Sequence, residues 1–375
     1  MAELSATERR GAFEVGLILA LVGLTAFGGP AAHVALMRRV IVERRRWIDA
    51  GSFSRMFAAC NLIPGPSSTE LAMFLGYRLA GWPGMLVAAV SFITPAMLIM
   101  LGLAVLYERY AGSRVLHLLL YGIRPVVVAI VAWAALDLAR KLLERRWMLV
   151  LIPAALLLYV LGVNPVFVLA ACGLTGAAIF LARSRRLIPF LSAAWMGPHP
   201  ERLVPVFLTF LKIGAVSFGS GYVLFAFLDS DFVQGLHWLK PTQLVDAVAL
   251  GQVTPGPVFT TATFLGYLFA GVPGALLATL AIFLPGLALV PLLDRVVKLV
   301  ESRAPLRIFL DAVNAAVIGL IIAVTISLAR ASLVDVLTVA IGVVAFPIIL
   351  WRPLAAPAVV AAGAVAGIVS GLVIA

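Results

Sequence analysis

Long apolar runs alternate with short polar stretches along the whole chain. The first half holds such runs near residues 12–36, 85–106, 123–139, 148–161 and 164–182. A membrane crossing takes about 20 largely apolar residues, so these predict five membrane-crossing helices. The last two flank Gly162-Val163-Asn164-Pro165, a turn signal that makes them a hairpin. Between the first two runs lies a segment of another kind, residues 50–77. Pro64-Gly65-Pro66 breaks it in its middle. Proline removes a backbone donor and clashes with the preceding turn. The segment therefore predicts two half-helices meeting at a break, in a re-entrant hairpin.

The same pattern returns in the second half. Setting residue n against n+191 aligns Gly23 with Gly214, Phe27 with Phe218, Gly28 with Gly219 and Trp47 with Trp238. Pro64-Gly65-Pro66 then meets Pro255-Gly256-Pro257. After one deletion the offset is 190. Phe74-Leu75-Gly76-Tyr77 meets Phe264-Leu265-Gly266-Tyr267, Pro95 meets Pro285, and Leu138-Ala139-Arg140 meets Leu328-Ala329-Arg330. The chain is thus a duplication, with repeats expected over 1–195 and 196–375 and a basic linker near 183–202. Residues 242–270 repeat the broken hairpin.

Arginine and lysine near spans mark the cytoplasmic side. The stretch after the first run carries Arg38, Arg39, Arg44, Arg45 and Arg46, whereas its counterpart carries Asp229 and Asp231 and no Lys or Arg before Lys240. The loop 294–310 is richer in bases than 107–122, as inversion requires. The fold expected is an all-α polytopic membrane protein of two inverted-topology repeats, each with about five membrane-crossing helices plus a re-entrant broken-helix hairpin. Counting half-helices as spans moves the total from 10 towards 14. The N-terminal charges give no orientation.

Composition agrees. Of 375 residues 63% are hydrophobic and 12% charged, with mean hydropathy +1.11. Soluble domains hold roughly 45–50% apolar and about 25% charged residues. A soluble globular or nucleic-acid-binding protein is therefore excluded, despite a net charge of +11. Two cysteines, Cys60 and Cys172, make no disulfide framework. The polar stretch Met1 to Arg10 precedes an apolar run without a cleavage signature, which reads as a retained helix rather than a signal peptide. No phosphate-binding loop for ATP and no Cys/His cluster is present, so no metal or other cofactor is expected.

Irregular backbone at membrane depth is tolerated where protein buries it or a watery cavity receives it. Two Pro-Gly-Pro breaks at matching positions therefore mark a candidate site. Pro66 is followed by Ser67, Ser68 and Thr69, and Pro257 by Thr260 and Thr261. Hydroxyls and unpaired N–H groups at a helix N-terminus, with the helix dipole, make an anion receptor. Asn61 and Gln252 stand three residues before the breaks as further donors. In inverted repeats the two receptors face each other near the midplane. The alternative is that both motifs only kink packed helices. A second broken element, Phe27-Gly28-Gly29-Pro30 matched by Phe218-Gly219-Ser220-Gly221, serves either ligand approach or tight helix packing. Lys212 stands inside the run 203–226, where the first half has Leu21. It either supplies positive charge to an anion or snorkels. His33 and Arg124 are weaker candidates. Glu70, Asp137, Asp246 and Asp311 read as satisfied structural partners, and Cys60 as a small buried residue.

These residues resemble the chromate ion transporter family. Phe27-Gly28-Gly29-Pro30, His33, Trp47, Pro64-Gly65-Pro66, Gly76-Tyr77 and Gly81-Trp82-Pro83-Gly84 are similar to its first domain. Ser217 to Gly221, Trp238, Pro255-Gly256-Pro257, Phe264 to Tyr267 and Phe283-Leu284-Pro285 are similar to its second. Glu70 and Ser220 depart from that pattern, and bear on substrate preference more than on fold. The resemblance implies the long two-domain form, a non-enzymatic secondary transporter in a bacterial inner membrane. Such a protein exports chromate, with sulfate as competitor, and confers chromate resistance. The partners expected are the anion and membrane lipid, not nucleic acid; a homodimer is left open. Rival readings are a transporter of sulfate or another oxyanion, a lipid-phosphate enzyme, which would want clustered His, Arg and acid groups, and an assembly protein, which would not need duplicated broken helices.

Overall fold

A computed structural model describes residues 11–26, 30–142, 146–182, 202–219, 221–352 and 355–373. Among them the fold is all-α, with no strand. The first repeat contains α1 (Ala12–Thr25), α2 (Pro30–Met37), α3 (Ala50–Cys60), α4 (Ser67–Arg109), α5 (Arg114–Leu142), α6 (Leu151–Val160) and α7 (Pro165–Ala182). The second contains α8 (Leu203–Val216), α9 (Val223–Leu228), α10 (Pro241–Val253), α11 (Thr261–Leu289), α12 (Leu293–Ser302), α13 (Ala304–Ser332), α14 (Val336–Trp351) and α15 (Ala356–Val373). Four helical stretches, 67–109, 114–140, 258–302 and 304–332, are long and apolar enough to cross a membrane, and six shorter helices are apolar.

The expected single spans 12–36 and 203–226 are each broken. At 1.5 Å per residue, the 14 residues of α1 reach about 21 Å, short of the ~30 Å hydrocarbon core. The chain leaves the helix at Ala26, and at Ser217 in the second repeat, where the glycine-rich elements begin. Phe13, Leu17, Leu21 and Leu24 form an exposed stripe on α1, as a lipid-facing surface requires.

Both long helices turn back on themselves at matching points. Ala80 and Gly81 leave helical geometry in α4, as do Ala270 and Gly271 in α11, and both glycines have positive φ, 66° and 61°. The reversal brings Gly76 against Gly84 and Gly266 against Gly274 so closely that a methyl group on any of them would meet the facing backbone. Glycine is required here because the two arms of a helical hairpin cross in contact.

The negative charges placed between spans are not loop residues. Asp229 and Asp231 lie buried in a π-helical turn, 229–235, that continues α9. Asp229 accepts hydrogen bonds from the Tyr159 hydroxyl and Gln234 Nε2, each 2.7 Å. Partners from within the turn and from other helices make this burial tolerable, so the charge contrast between repeats rests on the arginines.

The repeats do not fold as separate units. Hairpin α6–α7 of the first packs on α13 of the second, and α14–α15 of the second packs on α5 of the first. Close glycine contacts seal the exchange: Gly319 lies on Ile152 and Ala155, and Gly363 on Gly122. One large apolar core accordingly draws on residues from Met100 to Ala364.

Candidate functional site

The four broken elements meet. Gly65 N donates to the Ser217 carbonyl (2.7 Å), and Gly256 N donates to the Ala26 carbonyl (3.3 Å). Residues 65 and 256 are repeat equivalents, as are 26 and 217. Each Pro-Gly-Pro break is therefore held by the residue that precedes the glycine-rich element of the other repeat, in a reciprocal pair. The two glycine-rich elements also approach each other: a β-carbon on Gly221 of the second would lie 3.8 Å from Pro30 at the end of the first.

The breaks form for local reasons. Pro64, Pro66, Pro255 and Pro257 have no N–H to give. Gly65 and Gly256 take φ of 131° and 99°, which favours glycine. The residues around them are buried: Pro64, Gly65 and Pro66 in one repeat and Pro255, Gly256 and Pro257 in the other. The N–H groups of Gly65 and Gly256 are bonded across the repeat boundary, as buried backbone donors must be. Helix α4 begins behind Pro66 with no side-chain cap, and the 3₁₀ turn leading into α11 begins behind Pro257 in the same way. A helix start of this kind leaves first-turn N–H groups without a side-chain cap.

The expected donors divide. Ser68 Oγ pairs with His33 Nδ1 at 3.1 Å, and His33 Nε2 lies 3.2 Å from the Ala26 carbonyl. His33, a weaker candidate in the sequence, thus joins a break to a glycine-rich element. Its signal was a lone histidine in an apolar run three residues after Pro30. Thr260 and Thr261 donate to the Pro257 and Val258 carbonyls, and Asn61 Nδ2 to Phe57. Ser67 is half-buried. Thr69 Oγ1 and Gln252 Nε2 are buried without a hydrogen-bond partner among the described residues. Gly219 has φ of 79° and faces Asn314. Gly28, Gly29 and Ser220 lie outside the described residues.

The charged candidates fall into separate places. Lys212 Nζ donates to Asp231 Oδ1 at 2.7 Å. Arg124 of α5 makes a two-pronged contact with Asp246 of α10 at 2.7 and 3.0 Å, joined by the Tyr107 hydroxyl. Asp246 is thus the satisfied partner expected. Glu70 is not: its carboxyl is fully buried and, among the described residues, neither oxygen has a partner. Cys60 is a buried free thiol. Among the described residues no group of acids, histidines and cysteines is arranged to hold a metal ion.

Comparison with known proteins follows the same division into repeats. The model of the family described as chromate transporter matches twice, over residues 13–177 and 204–368. The chain is 32% identical to the chromate transport protein of Cupriavidus metallidurans, over 93% of this chain and 90% of that one. It is 31% identical to the probable chromate transport protein of Synechococcus elongatus, over 93% of each. A chromate transport protein of Pseudomonas aeruginosa is 32% identical over 86% of this chain and 82% of its own. No solved structure matches. Apolar helices long enough to cross a bilayer, two matched repeats and relatives along almost the whole length lead to one conclusion: the chain is a multi-pass membrane transport protein, not an enzyme, and belongs to the chromate transporter family.

Proposed function

We propose that the chain is a secondary transporter that exports chromate from the cytoplasm across a bacterial inner membrane, and so confers chromate resistance. The dianion is held between the two Pro-Gly-Pro breaks, with sulfate, its isostere, as competitor. The observation that carries the reading is the reciprocal pair Gly65 N to Ser217 O and Gly256 N to Ala26 O. It supports two equivalent breaks acting as one site. The repeats are read as inverted, the arginine run 38–46 lying on the cytoplasmic side, so the two breaks approach the anion from opposite sides.

The chemistry suits a tetrahedral oxyanion. The uncapped starts behind Pro66 and Pro257 direct N–H groups and dipole charge at the break. Thr69 and Gln252 offer buried donors. Gly219 and Gly221 let backbone approach; Gly28, Gly29 and Ser220 are proposed to join the site on their place in the sequence alone. With Lys212 committed to Asp231, the attraction comes from these dipoles rather than from a free ammonium. Moving a charge through an inside-negative potential yields about 2.3 kcal/mol per 100 mV, so outward movement of a dianion needs no ATP.

The test is chromate uptake into everted vesicles, with sulfate as competitor. Alanine at Pro64 and Pro66 lets the half-helices join, since alanine favours a helix interior by about 3 kcal/mol per residue over proline. Uptake should fall for that variant and for Pro255 and Pro257 changed likewise, with folded protein retained. Loss of uptake only with loss of folded protein would reduce both motifs to packing. Full tolerance in one half would leave a one-sided site.

A further inference from the structure

Glu70 is the feature that the proposed site does not yet use. It lies one turn into α4 from Pro66 and is 0% exposed. Its carboxyl turns back over the break, because a β-carbon on Gly65 would run into Oε1. An acid in the first turn of a helix ordinarily accepts from backbone N–H groups at the N-cap. Here the break itself supplies no such donor. Pro64 and Pro66 have none, and Gly65 N–H is given to Ser217. Among the described residues both carboxyl oxygens are left without a partner. The offset of 190 puts Thr260 at this position in the second repeat, so the acid exists once per chain.

Among the described residues no cation balances it. Helix α2 brings His33, which is engaged with Ser68 and Ala26. Helix α3 brings the Cys60 thiol. From α11 the near residue is Gly286. On α4 itself, Arg78 is bonded to Asp294. Helix α1 carries only Glu14, exposed and paired with Arg45. A carboxylate and a dianion would thus meet at one helix start with nothing between them.

We infer that Glu70 binds one proton together with each oxyanion. This rests on the anion site proposed above. As the acid, Glu70 has an O–H to donate to an anion oxygen, where the ionised form has only acceptors. As the carboxylate it repels the anion and competes with it for the dipole of α4. The proton comes from water on loading and returns to water on release, and no bond of the oxyanion forms or breaks. The loaded site then carries one negative charge fewer than dianion and carboxylate together.

Calorimetry on the full chain in detergent tests this, with sulfate and with chromate across neutral pH, in buffers of different ionisation enthalpy. Sulfate stays a dianion throughout, so any proton taken up belongs to the protein. The wild type should take up about one proton per sulfate, with affinity falling about tenfold per pH unit on the basic side. Glu70→Gln keeps a neutral donor. It should bind with a flat pH profile and no proton uptake, whereas His33→Gln should keep the uptake. Sulfate binding without proton uptake in the wild type would overturn the inference while sparing the anion site. So would uptake that persists in Glu70→Gln or vanishes in His33→Gln. If Glu70→Gln does not fold, the wild-type and His33→Gln uptake still decide. Binding of neither anion to the folded wild type would overturn the site and the inference together.

Discussion

Gly256→Ala separates two effects that the structure places on one atom. The residue has φ of 99°, which costs a non-glycine residue about 1–3 kcal/mol. Its new methyl group would also lie 2.5 Å from the Ala96 β-carbon of the other repeat. Overpacking of that kind costs about 1–3 kcal/mol, for a total of about 2–6 kcal/mol. The facing position is unequal in the two halves: Ala96 stands in the first, and Gly286 is its equivalent in the second. Ala96→Gly therefore removes the collision and leaves the backbone strain. By itself it costs about 1 kcal/mol, as glycine for alanine inside a helix. The double variant should be more stable than the sum of the single losses by about 1–3 kcal/mol, within the range found for residues in contact. Chemical denaturation in mixed micelles measures the cycle, and vesicle uptake shows whether function returns with it. Additivity within about 0.5 kcal/mol would refute the contact between the second break and the middle of α4.

Lys212→Ala should lower the amount of folded protein by stranding Asp231, which is 7% exposed, and Lys212→Ala with Asp231→Ala should restore it. The cost stays below the ~3–5 kcal/mol of a fully buried pair, because the Lys212 side chain is 40% exposed. Uptake restored with the fold assigns the lysine to this pair, and uptake still absent assigns it to the anion. Single cysteines near 42 and 235 should react with impermeant reagents from opposite sides, and same-side labelling would make the repeats parallel. Asp335 caps α14 through the Thr338 N–H (2.9 Å) and accepts from Tyr121; its removal should cost about 1 kcal/mol. The Thr338 N–H chiefly holds this carboxyl below its ordinary value. Its contribution should be full above about pH 4 and lost as pH falls through the folded value, so melts of wild type and Asp335→Ala should differ at neutral pH and converge in acid.

Much of this molecule is legible locally. Proline and glycine act on their own backbone, so both Pro-Gly-Pro breaks, the glycine-rich elements and the turn at 162–165 could be read without knowing their neighbours. The apolar runs declared long helices because a bilayer sets one length for all of them. The duplication told that whatever the first break does, the second does at residue 255. What the sequence could not declare is which distant groups meet. Lys212 reads as a free cation until α8 packs beside the turn holding Asp231. Glu70 reads as a paired acid until the fold gives the Gly65 N–H to Ser217, a residue of the other repeat. The exchange of terminal hairpins was equally hidden, since an apolar helix face suits either repeat. Local backbone chemistry is written residue by residue; partnerships across the repeats depend on packing geometry, and only the tertiary structure decided them.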